Sequence, residues 1–488
     1  MNKIKRAMGT AQAMRTTCAL LSALVLAGLG LGGAQAQTTT TVTRTVNYEY
    51  DAYGQLKKET VQPDDPALRV STEYTRAAVG GVDFGLVSAK TVTWLDPASG
   101  TTQSRVVQST GYDARGRFAL TQTNAKSQTV TSTYDETTGA VLTMVDPNQL
   151  TTSWEYDPWG RKLRENRPDD TVTSWMYQGC IDSCGWATSV TVTQQWGGAG
   201  LLKSQIAVPK EDFTDRLGRV VQSRTWGFDG TPVITQTAFT AQGYTASVAR
   251  PRFQGAAPVW TFYDRDDIGR VNKIRSPAPD GSGYAETAYT YSGRVLSMVN
   301  AKWQSRIEER NVLGKLKSAT DALGNVTTYV YDGFGNLVRT RDPKGNEIAI
   351  GYDALGRKTS LQDPDVGSVT YWVDPLGQTW KQRDAKAQDT LFTFDVLGRM
   401  VRRLEPDQDS RWEYDTAVKG VGKLGESYTW VNGAKDVRRA MTYDAKGRPS
   451  TTVLSLDWDY LTQTAYDGFG RANVQSYTRR TRGATSGG

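Results

Sequence analysis

At 488 residues the chain is long enough for several ordinary domains or for one large repeat array. Its 48 Gly, 23 Tyr and 14 Trp, with a negative mean hydropathy, favour strands and turns over helices. Histidine is absent, which excludes His-dependent triads, His metal sites and His acid–base chemistry.

The first 36 residues read as a signal peptide. Lys3, Lys5, Arg6 and Arg15 form a basic start, Cys18–Gly33 an apolar stretch short for a membrane span, and Ala34-Gln35-Ala36 a small-residue cleavage site before Gln37. Removing them takes four positive charges and no negative ones from the net +7, leaving +3. The remaining charge gives no reason to expect nucleic acid as a partner. No later apolar run is long enough to span a membrane, so the reading is export with no membrane span after cleavage.

Residues 37–110 hold a Thr-rich lead-in, a first copy of a repeat at Tyr50-Asp51, and an irregular segment marked by Pro63-Asp64-Asp65-Pro66. Repeats occupy 111–178, with Tyr112-Asp113, Tyr134-Asp135 and Tyr156-Asp157 spaced by 22. Residues 179–260 depart from the period and read as diverged repeats or an insertion. They contain Cys180 and Cys184, which remain after Cys18 leaves with the signal. A disulfide between them is the expectation in an oxidising compartment. A metal site would need more ligands, and a redox pair would need a different spacing and a βαβ setting. Residues 261–475 are repeats again, and 476–488 read as a disordered tail.

From 311 onward the period is explicit. Asp332, Asp353, Asp374 and Asp395 are each 21 apart, and Gly335, Gly356, Gly377 and Gly398 follow them at the third position on. A second Asp series, Asp321, Asp342, Asp363 and Asp384, runs between them at the same period. Each unit therefore holds two turns, with a strand of six or seven residues between turns. The Asp side chain accepts backbone N–H groups two or three residues on, and Gly supplies a positive φ without a Cβ clash. Thr327, Tyr329 and Tyr331 share a strand face, as do Ile348, Ile350 and Tyr352, then Val369, Tyr371 and Val373. Residues 21 apart are expected to stack into ladders on neighbouring repeats.

The recurring Asp residues also admit a glycosidase or calcium reading, but a catalytic pair should be unique and a calcium loop should cluster its carboxylates. Turn capping is the expected role. The Arg after many turn glycines (Arg161, Arg219, Arg270, Arg357, Arg399 and Arg448 among them) is expected to pair with a carboxylate or cover an aromatic ring. No catalytic, cofactor-binding or metal-ligating residue is assigned, and no cofactor is expected.

Tandem YDxxGR units, as in YDALGR (352–357), YDAKGR (443–448) and YDGFGR (466–471), resemble the YD repeat of Rhs proteins, which also occurs in teneurins and bacterial toxin-complex components. The resemblance covers most of 45–475. It implies an all-β fold in which tandem β-hairpins form a long spiralling antiparallel sheet, part of a hollow shell. It further implies a structural, encapsulating or scaffolding protein of the secreted or cell-envelope fraction, without enzyme activity, whose partner is an enclosed or separately encoded polypeptide such as a toxin or Rhs core. Family elements tied to self-cleavage and a toxin domain are not recognised after the last YDGFGR, so a truncated or split component of a toxin-delivery system is the expectation. The alternatives are a surface module that binds glycans through exposed aromatics and, behind it, a carboxylate-dependent hydrolase.

Overall fold

A computed structural model describes residues 42–79, 82–180, 187–198 and 204–482. The expected signal peptide (1–36) and Cys184 lie outside the described residues. Every regular element described is a β-strand, in one long antiparallel sheet of 38 strands. Strands pair chiefly with the next strand in the chain, so the sheet grows hairpin by hairpin. Among the described residues no helix is long and apolar enough to cross a membrane.

The register explains why an odd repeat length works. Across the turn at Asp321, partners have like parity, as in Thr320↔Val326. Across the turn at Asp332 the register shifts by a β-bulge between Val330 and Tyr331, so Tyr329 faces Thr340. Across the turn at Asp342 parity is kept again, with Thr340 opposite Ile348. Side chains alternate faces along a strand, so one parity flip per unit brings residue n and residue n+21 to the same face. The same bulge recurs beside the turns at Asp215, Asp266, Asp374, Asp395, Asp444 and Asp467. The strip therefore has one rim of bulged turns, which carry the Tyr-Asp series, and one rim of plain turns.

Burial alternates as expected on these faces: Thr327, Tyr329 and Tyr331 are half-buried while Val326, Thr328 and Val330 are exposed. The expected ladder needs a correction. Tyr329 and Ile350 are not neighbours, because a returning strand carrying Thr340 lies between them. With strands about 4.8 Å apart, residues 21 apart sit roughly 10 Å apart, beyond direct side-chain pairing of most residues. A single sheet has no second layer to cover it, so fully buried positions are few: Val172 and Ala249 are each 1% exposed. A small cluster joins Ala187, Val190 and Phe213.

The chain folds as two compact units, Met1–Thr131 with Ile350–Arg411, and Ser132–Ala349 with Trp412–Gly488. The described part of 179–260 consists of antiparallel strands with the repeat turn retained at Asp215–Arg219. Of the expected disordered tail (476–488), the described residues to Thr481 lie in a strand instead. Ala472–Thr481 is a ten-residue strand paired along its length with Trp458–Tyr466, because backbone ladder bonds hold a sequence whose side chains are all exposed.

Candidate functional site: the turn module and its rims

The turns at Asp332, Asp353, Asp374 and Asp395 share one geometry. At Asp332 the Gly335 N–H donates to the Asp332 carbonyl at 3.1 Å, and the Asp332 N–H donates to the Asn336 carbonyl at 2.9 Å. This is a type I turn closed by a left-handed residue, a common hairpin closure. Gly335, Gly356, Gly377 and Gly398 have φ of 84°, 78°, 89° and 81°. The side chain of Asp332 accepts the N–H groups of Phe334 and Asn336, both at 2.9 Å. At this turn the capped donors lie two and four residues on, because the N–H at the third position is already used by the Asp carbonyl, whereas Asp135 and Asp363 cap the N–H groups two and three residues on.

The Arg that follows the glycine does both expected things at once. Arg448 donates through Nε to Asp444 Oδ2 at 2.8 Å, and its guanidinium lies 4.1 Å from the ring centre of Tyr466 in the next repeat. The Tyr466 hydroxyl then donates to the carbonyl of Pro449, the residue after that Arg, at 2.8 Å. The arrangement recurs with Asp266, Arg270 and Tyr291, whose hydroxyl reaches the Val271 carbonyl. It recurs again with Asp157, Arg161 and Tyr177, whose hydroxyl reaches the Lys162 carbonyl. At these three turns Asp, Arg and the tyrosine of a later strand form one clamp between neighbouring hairpins. Where Val373 replaces the aromatic, Arg357 still binds Asp353 but turns a second N–H to the Asp374 carbonyl.

These contacts set the chemistry of the carboxylates. At Asp215 the Arg219 hydrogen bond, foremost, holds the carboxyl below its usual range. At Asp395 burial pushes upward but is outweighed by the Arg399 side chain and backbone donors. Asp135 is held down to about 2, first by the Thr137 hydroxyl. Asp374 moves the other way, raised by burial. Carboxylates held ionised and already saturated with donors are poor general acids. Among the described residues no group of three or more His, Cys, Asp or Glu is placed to hold a metal. An open depression near Val326, Thr328 and Arg341 is bordered by Asp342, whose carboxylate is capped by Asn346. Cys180 is disulfide-bonded.

Sequence reasoning missed the lateral contacts of the rims, in which turns and loops of a later segment meet an earlier segment of the strip. In the first unit, Lys126 of the turn 124–128 lies 3.6 Å from Asp395, and the Arg44 guanidinium donates to the Ala354 carbonyl. In the second unit, the buried Asn148 side chain donates to the Val421 carbonyl at 3.0 Å and accepts the Val421 N–H at 2.8 Å. Lys419 reaches the Asn148 carbonyl at 2.6 Å, and Lys446 pairs with Asp170. Further along, the Gly198 N–H donates to the Gly468 carbonyl, and a Cβ on Gly197 would meet the Phe469 backbone at 2.7 Å. Asn148 and Val421 are 273 residues apart in the chain, and the turn sequences carry no signal for which turns will meet.

Residues 310–347 match the family model described as RHS Repeat. None of the curated proteins matches the chain. Similar solved structures include that titled TcdB2-TccC3-Cdc42, at 10% identity and a TM-score of 0.55, covering 89% of this chain and 37% of that one. TcdB2-TccC3-TEV follows at 11% identity and 0.53, covering 89% and 35%, and TcdB2-TccC3 at 12% and 0.52, covering 89% and 33%. At these identities the likeness is one of fold, and this chain spans about a third of the length of those chains. A tandem β-hairpin strip closed by Asp–Gly turns is the class that the geometry defines. Residues 310–347 thus carry a sequence similar to the RHS repeat, and the strip around them is similar in fold to the TcdB2-TccC3 structures.

Proposed function

We propose that this chain is an exported wall segment of a toxin-complex or Rhs-type assembly, with the structural role of enclosing or scaffolding another polypeptide and no catalysis of its own. The observation that supports the reading is the turn module: its Asp and Gly close the hairpin, its Arg and a following Tyr join neighbouring hairpins at three turns, and the strip resembles the fold of TcdB2-TccC3 chains over 89% of its length. Purifying the full chain from its native host and treating it with protease tests this. A co-purifying polypeptide that survives digestion only while the strip is intact is expected, and a chain that protects nothing refutes the enclosure. Export predicts that the mature protein begins at Gln37. It also predicts a Cys180–Cys184 disulfide, so that the intact mass is two hydrogens below the reduced value; a free-thiol mass would refute the pairing.

Glycan binding is a second reading, favoured by Trp159 and Trp303, which stand in turns and are 79% and 88% exposed. Aromatic faces of this kind suit stacking on sugar rings. Binding on a broad glycan array that is lost in Trp303→Ala would support it, and no binding would sink it.

A further inference from the structure

Among the described residues, the rims that meet inside each unit leave counterparts whose turn tips are exposed. In the second unit the bulged turns at 215–219, 266–270 and 311–315 carry Leu217, Ile268 and Leu313 at the third turn position, 75%, 71% and 61% exposed. The residues at the same position in turns that lie along the packed row of the first unit, Leu355, Leu376 and Leu397, are half-buried. The plain rim of the second unit shows the complementary half. Asn300-Ala301-Lys302-Trp303-Gln304 differs at one position from Asn124-Ala125-Lys126-Ser127-Gln128, the turn whose Lys126 pairs with Asp395. Lys302 and Lys344 hold that third position in exposed turns, and Leu323 stands between them, 87% exposed.

We infer that the free bulged rim of the second unit is a docking surface for the free plain rim of a second copy of this chain. The bulged rim offers an apolar residue beside a capped turn carboxylate such as Asp215 or Asp266; the plain rim offers a lysine with apolar residues nearby. Within the chain such rims already meet through lysine–carboxylate pairs, Lys126 of a plain turn with Asp395 of a bulged one and, in the opposite sense, Lys446 of a bulged turn with Asp170 of a plain one. The turn tips that are half-buried along the packed row of the first unit have counterparts of similar chemistry that are exposed on the second. The two halves differ, so the interface is head-to-tail, and a pair of copies keeps one bulged rim free on one copy and one plain rim free on the other. The inference goes beyond the wall role and holds whether or not a cargo is enclosed.

Sedimentation velocity of the full chain at rising concentration tests it. The wild-type chain should associate reversibly, more weakly at high salt. The double variant Ile268→Asp/Leu313→Asp and the double variant Lys302→Glu/Lys344→Glu should each sediment as a monomer, with unchanged far-ultraviolet circular dichroism. Mixed together they should form a one-to-one complex, since each retains one intact rim. Association in the mixture rules out misfolding as the cause of the loss. A wild-type chain that stays monomeric, variants that associate as well as wild type, or folded variants that fail to complement each other would overturn the inference.

Discussion

Asn148→Ala should open the lateral contact of the second unit while leaving the hairpins intact. Asn148 is 7% exposed, and its amide satisfies both the N–H and the carbonyl of Val421, at 2.8 and 3.0 Å. Truncation removes two hydrogen bonds and leaves two backbone groups without their partner in a covered place, each costing about 1–3 kcal/mol if water cannot reach it. Partial water entry lowers the sum, so roughly 2–3 kcal/mol is the expected loss. A repeat strip does not unfold in one step, so the assay must be local. Hydrogen exchange of the peptide spanning 415–424 should quicken by roughly thirtyfold or more, on the scale of about 1.4 kcal/mol per factor of ten. The hairpin at 332–336 should exchange as before. Asn148→Asp sharpens the test: it keeps an acceptor for the Val421 N–H, loses the donor to the carbonyl, and sets a charge beside Asp146, which Asn148 contacts at 3.3 Å. It should therefore exchange no more slowly than Asn148→Ala at neutral pH. Unchanged exchange in both variants would refute the claim that this amide holds the two segments together.

The clamp should show energetic coupling: a double-mutant cycle between Arg448→Ala and Tyr466→Ala, read from urea denaturation, should give about 1 kcal/mol for the cation–π contact. A coupling near zero would reduce the ring contact to coincidence. Ala387 occupies the left-handed turn position at φ 59° where most copies have Gly. Ala387→Gly should raise stability by roughly 1 kcal/mol, and a lower melting temperature would contradict the turn assignment. Asp409 is held down to about 2, first by Arg411 and then by Arg402. Its folded pKa lies below the ordinary 3.8, so its stabilisation is complete above that value and is lost as the pH falls toward 2. Asp374, raised by burial, acts in the opposite sense and loses its contribution as the pH rises through its folded pKa. Melting temperatures should therefore fall between pH 4 and 2, less steeply in Asp409→Asn, and a flat profile would exclude carboxylate capping as a source of stability.

What could be read in the sequence was local. The turns at Asp332, Asp353, Asp374 and Asp395 were legible because Asp and Gly at a fixed offset answer a purely local need for a backbone cap and a positive φ. The alternating face of Thr327, Tyr329 and Tyr331 was legible for the same reason. The returning strand with Thr340 between Tyr329 and Ile350 was misjudged, because stacking was inferred from period without tracing the hairpin. The meeting of Asn148 with Val421 was not legible at all. It depends on twist summed over many strands, and no single turn encodes that sum.

The odd period nevertheless contained more than it first yielded. An even unit with two identical turns could keep its faces without any bulge, and its two rims could be alike. A 21-residue unit needs one parity flip, and the structure takes it at the Tyr-Asp turns. The two rims are then different surfaces by construction, one bulged and carrying the Arg clamp, the other plain and carrying lysines such as Lys126 and Lys302. Unlike rims pair with each other rather than with themselves, so lateral packing in this strip is directional. The contacts of Lys126 with Asp395 and of Lys446 with Asp170 each join a bulged turn to a plain one, one contact in each unit. Any further contact made by the exposed rims must obey it too, which is why the inferred association is head-to-tail and why two singly defective rims should restore one good interface between them.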